Sequence, residues 1–151
     1  MCIFNLMRSQ AKWLDSQKSG DNLQLSTFNM KLKTGIDLLE IARLQEALDK
    51  HGDRFLHRVF TDREIAEVGD RIDSLAARWA AKEAVAKAFG TGIGNVQWKD
   101  IEILRGPNRE PVLHLHGHAQ TLAEKEGLTT WSISLSHTAV YAVAMAVAIG
   151  D

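Results

Sequence analysis

Two acids and a lysine stand where a core alone would not put them. Asp37 lies between Ile36 and Leu38-Leu39, at the end of a predicted strand. Glu83 lies inside a long predicted helix. With Trp79 at zero and about 100° per residue, Ile72, Leu75, Ala76 and Ala86 form an apolar stripe, and Glu83 falls inside it near roughly 40°. Lys82 and Lys87 flank that stripe. A carboxylate aimed into an apolar face needs a cation or a metal, or it must be neutralised. Two readings stand side by side. In one, Glu83 pairs with Lys87 four residues on, as exposed helix pairs do, and Asp37 caps the following helix. In the other, the two carboxylates hold a hard cation such as Mg²⁺, which takes one or two carboxylates and fills its shell with water and phosphate oxygens.

Two further features belong to the same question. The long helix is followed by AFGTGIG. Glycines there let backbone N–H groups come close to phosphate, and equally make a helix C-cap followed by a turn. Ser136-His137 ends a strand, where a histidine serves either as a hydrogen-bonded core residue or as a group that binds phosphate or handles protons. Adjacent strand residues point to opposite faces, so Ser-His here is no catalytic dyad. His114, His116 and His118 alternate, but no Cys joins them and no third ligand converges, so a solvated strand face is expected rather than a metal cluster.

These residues need elements to hold them. Residues 31–36 alternate as a short strand, and 39–50 form an amphipathic helix stopped by Gly52. Asp53 is expected to cap a short helix, and Thr61 with Glu64 forms a capping box for the next. Residues 72–89 are the long helix, closed by Gly90. Residues 98–104 and 111–116 read as a hairpin around Gly-Pro-Asn, 118–126 as a helix closed by Gly127, and 129–136 as a strand. In the last strand Tyr141, Val143, Met145, Val147 and Ile149 share one face, and four alanines share the other. The large face is expected under helices, and the alanine face against another close layer, within the chain or across a subunit contact. The sum is α+β: helices on a small, mainly antiparallel sheet.

The bulk numbers bound what remains. The chain has 151 residues and a formal net charge of -1, so no broad basic field suits nucleic acid or an anionic membrane. One cysteine, Cys2, excludes an internal disulfide. The apolar run Ala139–Ile149 is too short to span a bilayer, and a cytoplasmic protein is expected. Residues 1–29 are polar and aperiodic. They are expected to be a poorly ordered appendage to a domain over 30–151, with Met30 a candidate alternative start.

The strings TGIDLLEIARL (34–44), RFLHRVFTDREI (54–65), ARWAAKEAVAKAFGTGIG (77–94) and SISLSHTAVYAVA (132–144) resemble the holo-[acyl-carrier-protein] synthases, the short type of 4'-phosphopantetheinyl transferase. The resemblance implies the α+β sandwich of that family. It implies transfer of phosphopantetheine from coenzyme A to a serine of apo-acyl carrier protein, leaving adenosine 3',5'-bisphosphate, in support of fatty acid biosynthesis. By position, Asp37 and Glu83 would hold Mg²⁺, and Lys87 would stand near the coenzyme A phosphates. Arg78, Gly90, Gly92 and His137 would bind coenzyme A, and Arg43 and Arg54 would face the acidic carrier protein. The family implies a homotrimer with sites between subunits. Residues 1–29 depart from the pattern, since such proteins begin near the equivalent of Met30.

Overall fold

The computed structural model describes residues 30–151. The expectation of an appendage over 1–29 lies outside the described residues. The order is β1 (Lys31–Glu40), α1 (Ile41–His51), α2 (Asp53–Val59), α3 (Asp62–Val68), α4 (Ile72–Phe89), a 3-10 turn (Trp98–Asp100), β2 (Ile101–Arg105), β3 (Pro111–Leu115), α5 (Gly117–Glu126), β4 (Leu128–His137) and β5 (Tyr141–Gly150). Strands β1, β5 and β4 form an antiparallel sheet with β5 in the centre, and β2–β3 form a separate antiparallel hairpin. The α+β expectation holds. No described helix is long and apolar enough to cross a membrane.

Helix α4 is the axle of the molecule. It packs on β1, β5 and β4 and also meets α1 and β2. Seven of its 18 residues are alanine, and 12 are buried. Because it is enclosed on several sides, no single stripe points inward. The predicted stripe therefore misplaces the charges. Leu75, Ala76 and Ala86 are buried as expected, but Trp79 and Glu83 are only half-buried and Lys87 is exposed. The side chains sealed inside are Arg78 and Lys82.

One glycine sets how closely β1 approaches. A Cβ on Gly35 would overlap the Ala84 carbonyl and lie 2.7 Å from the Ala88 nitrogen. Alternation does the rest: Gly35, Asp37 and Leu39 face α4, while Leu32, Ile36 and Leu38 face outward and are exposed.

Several local expectations change. Strand β1 runs to Glu40, so Asp37 sits within the strand and caps nothing. Glu40 is the N-cap of α1 and makes no side-chain cap bond. Asp53 is the first residue of α2, whose N-cap is Gly52. The Thr61–Glu64 capping box is present. Trp98–Asp100 is a 3-10 turn, not strand. In β5 the faces are reversed. The alanine face packs under α4, because only small side chains let an alanine-rich helix lie close, and Tyr141, Met145 and Ile149 are exposed. Of the three alternating histidines only His114 stays on a strand, in β3, and the other two are exposed beyond it. His116 is the N-cap of α5 with Nε2 3.0 Å from Glu102, and His118 Nδ1 meets the Asn95 carbonyl.

Candidate active site

Asp37 and the half-buried face of α4 meet at one place. Lys87 Nζ donates to Asp37 Oδ1 at 2.9 Å and to the Ile36 carbonyl at 3.0 Å. The helix pair expected between Glu83 and Lys87 is replaced by this inter-element pair. The close approach at Gly35 brings β1 within reach of the lysine, which then satisfies a strand carbonyl as well as the carboxylate.

Glu83 has no ion-pair partner among the described residues. Partial burial raises its carboxyl above the ordinary 4.5. The Asp37 charge raises it further, and Lys87 offsets part of this. So two carboxylates feel one another, one of them has no cation of its own, and an ammonium group stands at the rim. Hard oxygen donors that repel each other fit a divalent cation with open positions for phosphate oxygens. Among the described residues no group of three metal-ligating side chains occurs.

Arg78 and His137 meet at a second place. With Ser74, Arg105 and Arg109 they line an open pocket of about 250 Å³. Arg78 is buried, donating from Nε to the Ile103 carbonyl at 3.0 Å and from Nη2 to Glu67 at 2.7 Å. Burial lowers its affinity for the proton, and Glu67 and Glu64 counter this. His137, at the end of β4, has Nε2 3.7 Å from Asp73. Residue-by-residue reading missed Arg105 and Arg109. Their only signal was a pair of arginines bracketing the Gly106-Pro107-Asn108 turn.

The Gly-rich loop is spoken for. Gly90, at φ 77°, closes α4 in the left-handed conformation, and its N–H donates to the Lys87 carbonyl at 2.9 Å. The N–H groups of Thr91 and Gly92 return to the Ala86 carbonyl, and that of Gly94 to Val96. The loop is a helix C-cap whose amides are used internally, so what Gly90 and Gly92 offer a ligand is close backbone approach. Arg43 and Arg54 stand elsewhere again. With Lys50, His51, Phe55 and Arg58 they line a groove of about 630 Å³ between α1 and α2.

An acid pair beside a cation, a cationic pocket and a basic groove on an α+β sandwich define a protein built for anionic partners. The chain belongs to the 4'-phosphopantetheinyl transferase superfamily, whose profile matches residues 33–146. Within it, the relatives are holo-[acyl-carrier-protein] synthases. That of Herpetosiphon aurantiacus is 46% identical over 126 residues, spanning 79% of this chain and 99% of that protein. That of Natranaerobius thermophilus is 44% identical over 125 residues, spanning 81% and 100%. The Helicobacter pylori holo-[acyl-carrier-protein] synthase, solved in complex with coenzyme A, has a TM-score of 0.71 at 32% identity, covering 76% of this chain and 98% of that one.

Proposed function

We propose that Asp37, Glu83 and Lys87 are the working groups of a holo-[acyl-carrier-protein] synthase. The chain is a transferase that moves the 4'-phosphopantetheine group of coenzyme A to a serine of apo-acyl carrier protein and releases adenosine 3',5'-bisphosphate. The observation that carries the assignment of groups is the coupled, partly buried pair of carboxylates with Lys87 bound to one of them.

In the reaction the serine oxygen forms a bond to the β-phosphorus, and the bond from that phosphorus to the bridging oxygen breaks. The electron pair leaves on the bisphosphate. Asp37 and Glu83 would hold Mg²⁺, which, when bound, spreads the charge of the diphosphate. Lys87 adds a fixed positive charge at the same place. It already donates to Asp37 and Ile36, so it acts as a cation rather than as the acceptor of the serine proton. That proton goes to Glu83 or to a water. Arg78 and His137, with Arg105 and Arg109, would receive coenzyme A in their pocket, and Gly90 and Gly92 would allow its close approach. Arg43 and Arg54, in the basic groove, would steer the acidic carrier protein, an effect that salt weakens. Fatty acid biosynthesis in the cytoplasm is the proposed setting.

A homotrimer is proposed as the working form. Leu32 pairs with Ile149, Ile36 with Met145 and Leu38 with Val143, so the outer face of the sheet is one apolar surface, its largest side chains 38–62% exposed. Such a surface calls for a partner, and a second copy is one the cell always supplies. A monomer mass in sedimentation equilibrium would refute the trimer.

The decisive assay is the mass gain of an apo-carrier protein incubated with coenzyme A and Mg²⁺. Asp37→Asn and Glu83→Gln should each slow it by about 10²-fold or more while the far-ultraviolet spectrum stays native. Full activity in either folded variant removes that residue from the site.

A further inference from the structure

Strand β2 pairs with β3 along one edge only. Its other edge is closed by side chains. The Ile101 carbonyl accepts from Lys82 Nζ, and the Ile103 N–H donates to Glu64 Oε1 at 3.0 Å. The Ile103 carbonyl accepts from Arg78 Nε at 3.0 Å, and the Arg105 N–H donates to Glu67 Oε2 at 3.1 Å. Carbonyl and amide alternate along the edge, and so do the basic and acidic groups that meet them. Glu64 and Glu67 are three apart on α3, and Arg78 and Lys82 four apart on α4, so each pair shares a helix face. The helices pair with each other too, Glu64 with Lys82 at 2.8 Å and Glu67 with Arg78 at 2.7 Å.

At one end of this edge Glu67 does more than close a strand. Its Oε1 takes Arg78 Nη2 and also lies 3.5 Å from Arg105 Nε, while Oε2 holds the Arg105 backbone. Both arginines line the pocket that Arg109 and His137 share. A negative charge beside a cationic pocket weakens its pull on an anion. Its presence there needs an offsetting benefit, and the geometry supplies one: a single carboxylate meets two guanidinium groups and the backbone N–H of Arg105.

We propose that Glu67 is a positioning residue for coenzyme A, holding Arg78 and Arg105 in the orientation that receives the anionic nucleotide. This rests on the reading of that pocket as the coenzyme A site.

Charge and position predict opposite signs. In Glu67→Gln the pocket gains one net positive charge, but the amide offers one acceptor oxygen where two were used. If Glu67 only dilutes the field, KM for coenzyme A falls. If it positions the arginines, KM for coenzyme A rises roughly tenfold, about the worth of one charge-assisted hydrogen bond, with kcat changed less than about twofold. KM for the carrier protein stays put. Glu67→Asp keeps the charge, so Arg78 is not left buried alone, yet it is too short to reach both arginines. It should raise KM for coenzyme A severalfold and serves if the Gln variant does not fold. Arg109→Ala separates the two ideas. If it leaves KM for coenzyme A unchanged, the pocket assignment fails. If it raises KM while Glu67→Gln and Glu67→Asp do not, the positioning role is overturned and the pocket assignment stands.

Discussion

Lys82→Met should cost far more than a helix-surface lysine is worth. The ammonium group is fully buried and donates to Glu64 at 2.8 Å, to the Trp98 carbonyl at 3.0 Å and to the Ile101 carbonyl. Burial lowers its proton affinity, and the charges of Glu64 and Glu102 push back. Removing it leaves Glu64 buried with only the Thr61 and Ile103 N–H groups and strands the Ile101 carbonyl, while the Trp98 carbonyl keeps the Ile101 N–H. Breaking a buried pair from one side typically costs about 3–5 kcal/mol. An exposed pair would cost about 0–1 kcal/mol. Urea unfolding at fixed protein concentration reads the difference. With m near 2 kcal/mol/M, a loss of about 4 kcal/mol moves the midpoint down by about 2 M. The double variant Lys82→Met/Glu64→Gln neutralises the stranded acid and keeps an acceptor oxygen for one of those two N–H groups, and should regain about 1–2 kcal/mol. A midpoint shift under about 0.5 M, or a double variant no more stable than the single, refutes the argument that this pair locks β2 to α3 and α4.

The raised carboxyl of Glu83 binds more protons in the folded chain than in the unfolded one above its ordinary 4.5. Stability therefore falls as pH rises through that window, and metal-free Glu83→Gln should gain melting temperature over wild type between about pH 4 and pH 7. Mg²⁺ should then stabilise wild type and not the variant; a variant that melts lower at every pH contradicts the burial and repulsion assigned to this acid. Gly35→Ala must push β1 off α4 at Ala84 and Ala88, with a cost of about 1–3 kcal/mol in urea unfolding and a loss of transfer activity as Asp37 moves from Lys87. Native stability in Gly35→Ala would show that the backbone contact is slack.

What the sequence made legible was local. Helix 72–89, the Thr61 box and the central place of the last strand follow from caps and alternation, and each stands in the fold. Asp37 and Glu83 stood out because each breaks the pattern of its own element, as working groups often do. What could not be read was which way an alanine-rich helix faces. Periodicity assumes one wet side, and α4 has little of one. So the wheel put Lys82 at the rim when it is sealed, and gave Lys87 to Glu83 when it belongs to Asp37, a residue brought near only by the close packing at Gly35.

The same cause ties the errors together. Small side chains on α4, β5 and Gly35 let three backbones lie close, and that leaves no room for large apolar residues between helix and sheet. The bulk of β5 is displaced to the outer face, where it asks for a partner. On its far side, α4 meets a strand edge that needs hydrogen bonds, and long charged side chains of α3 and α4 supply them. The groups proposed to react then fall on a less covered face of α4, where Glu83 is half-buried, Lys87 is exposed and Asp37 reaches up from β1. Close packing and the accessibility of the proposed anion site are thus two results of one choice of residues.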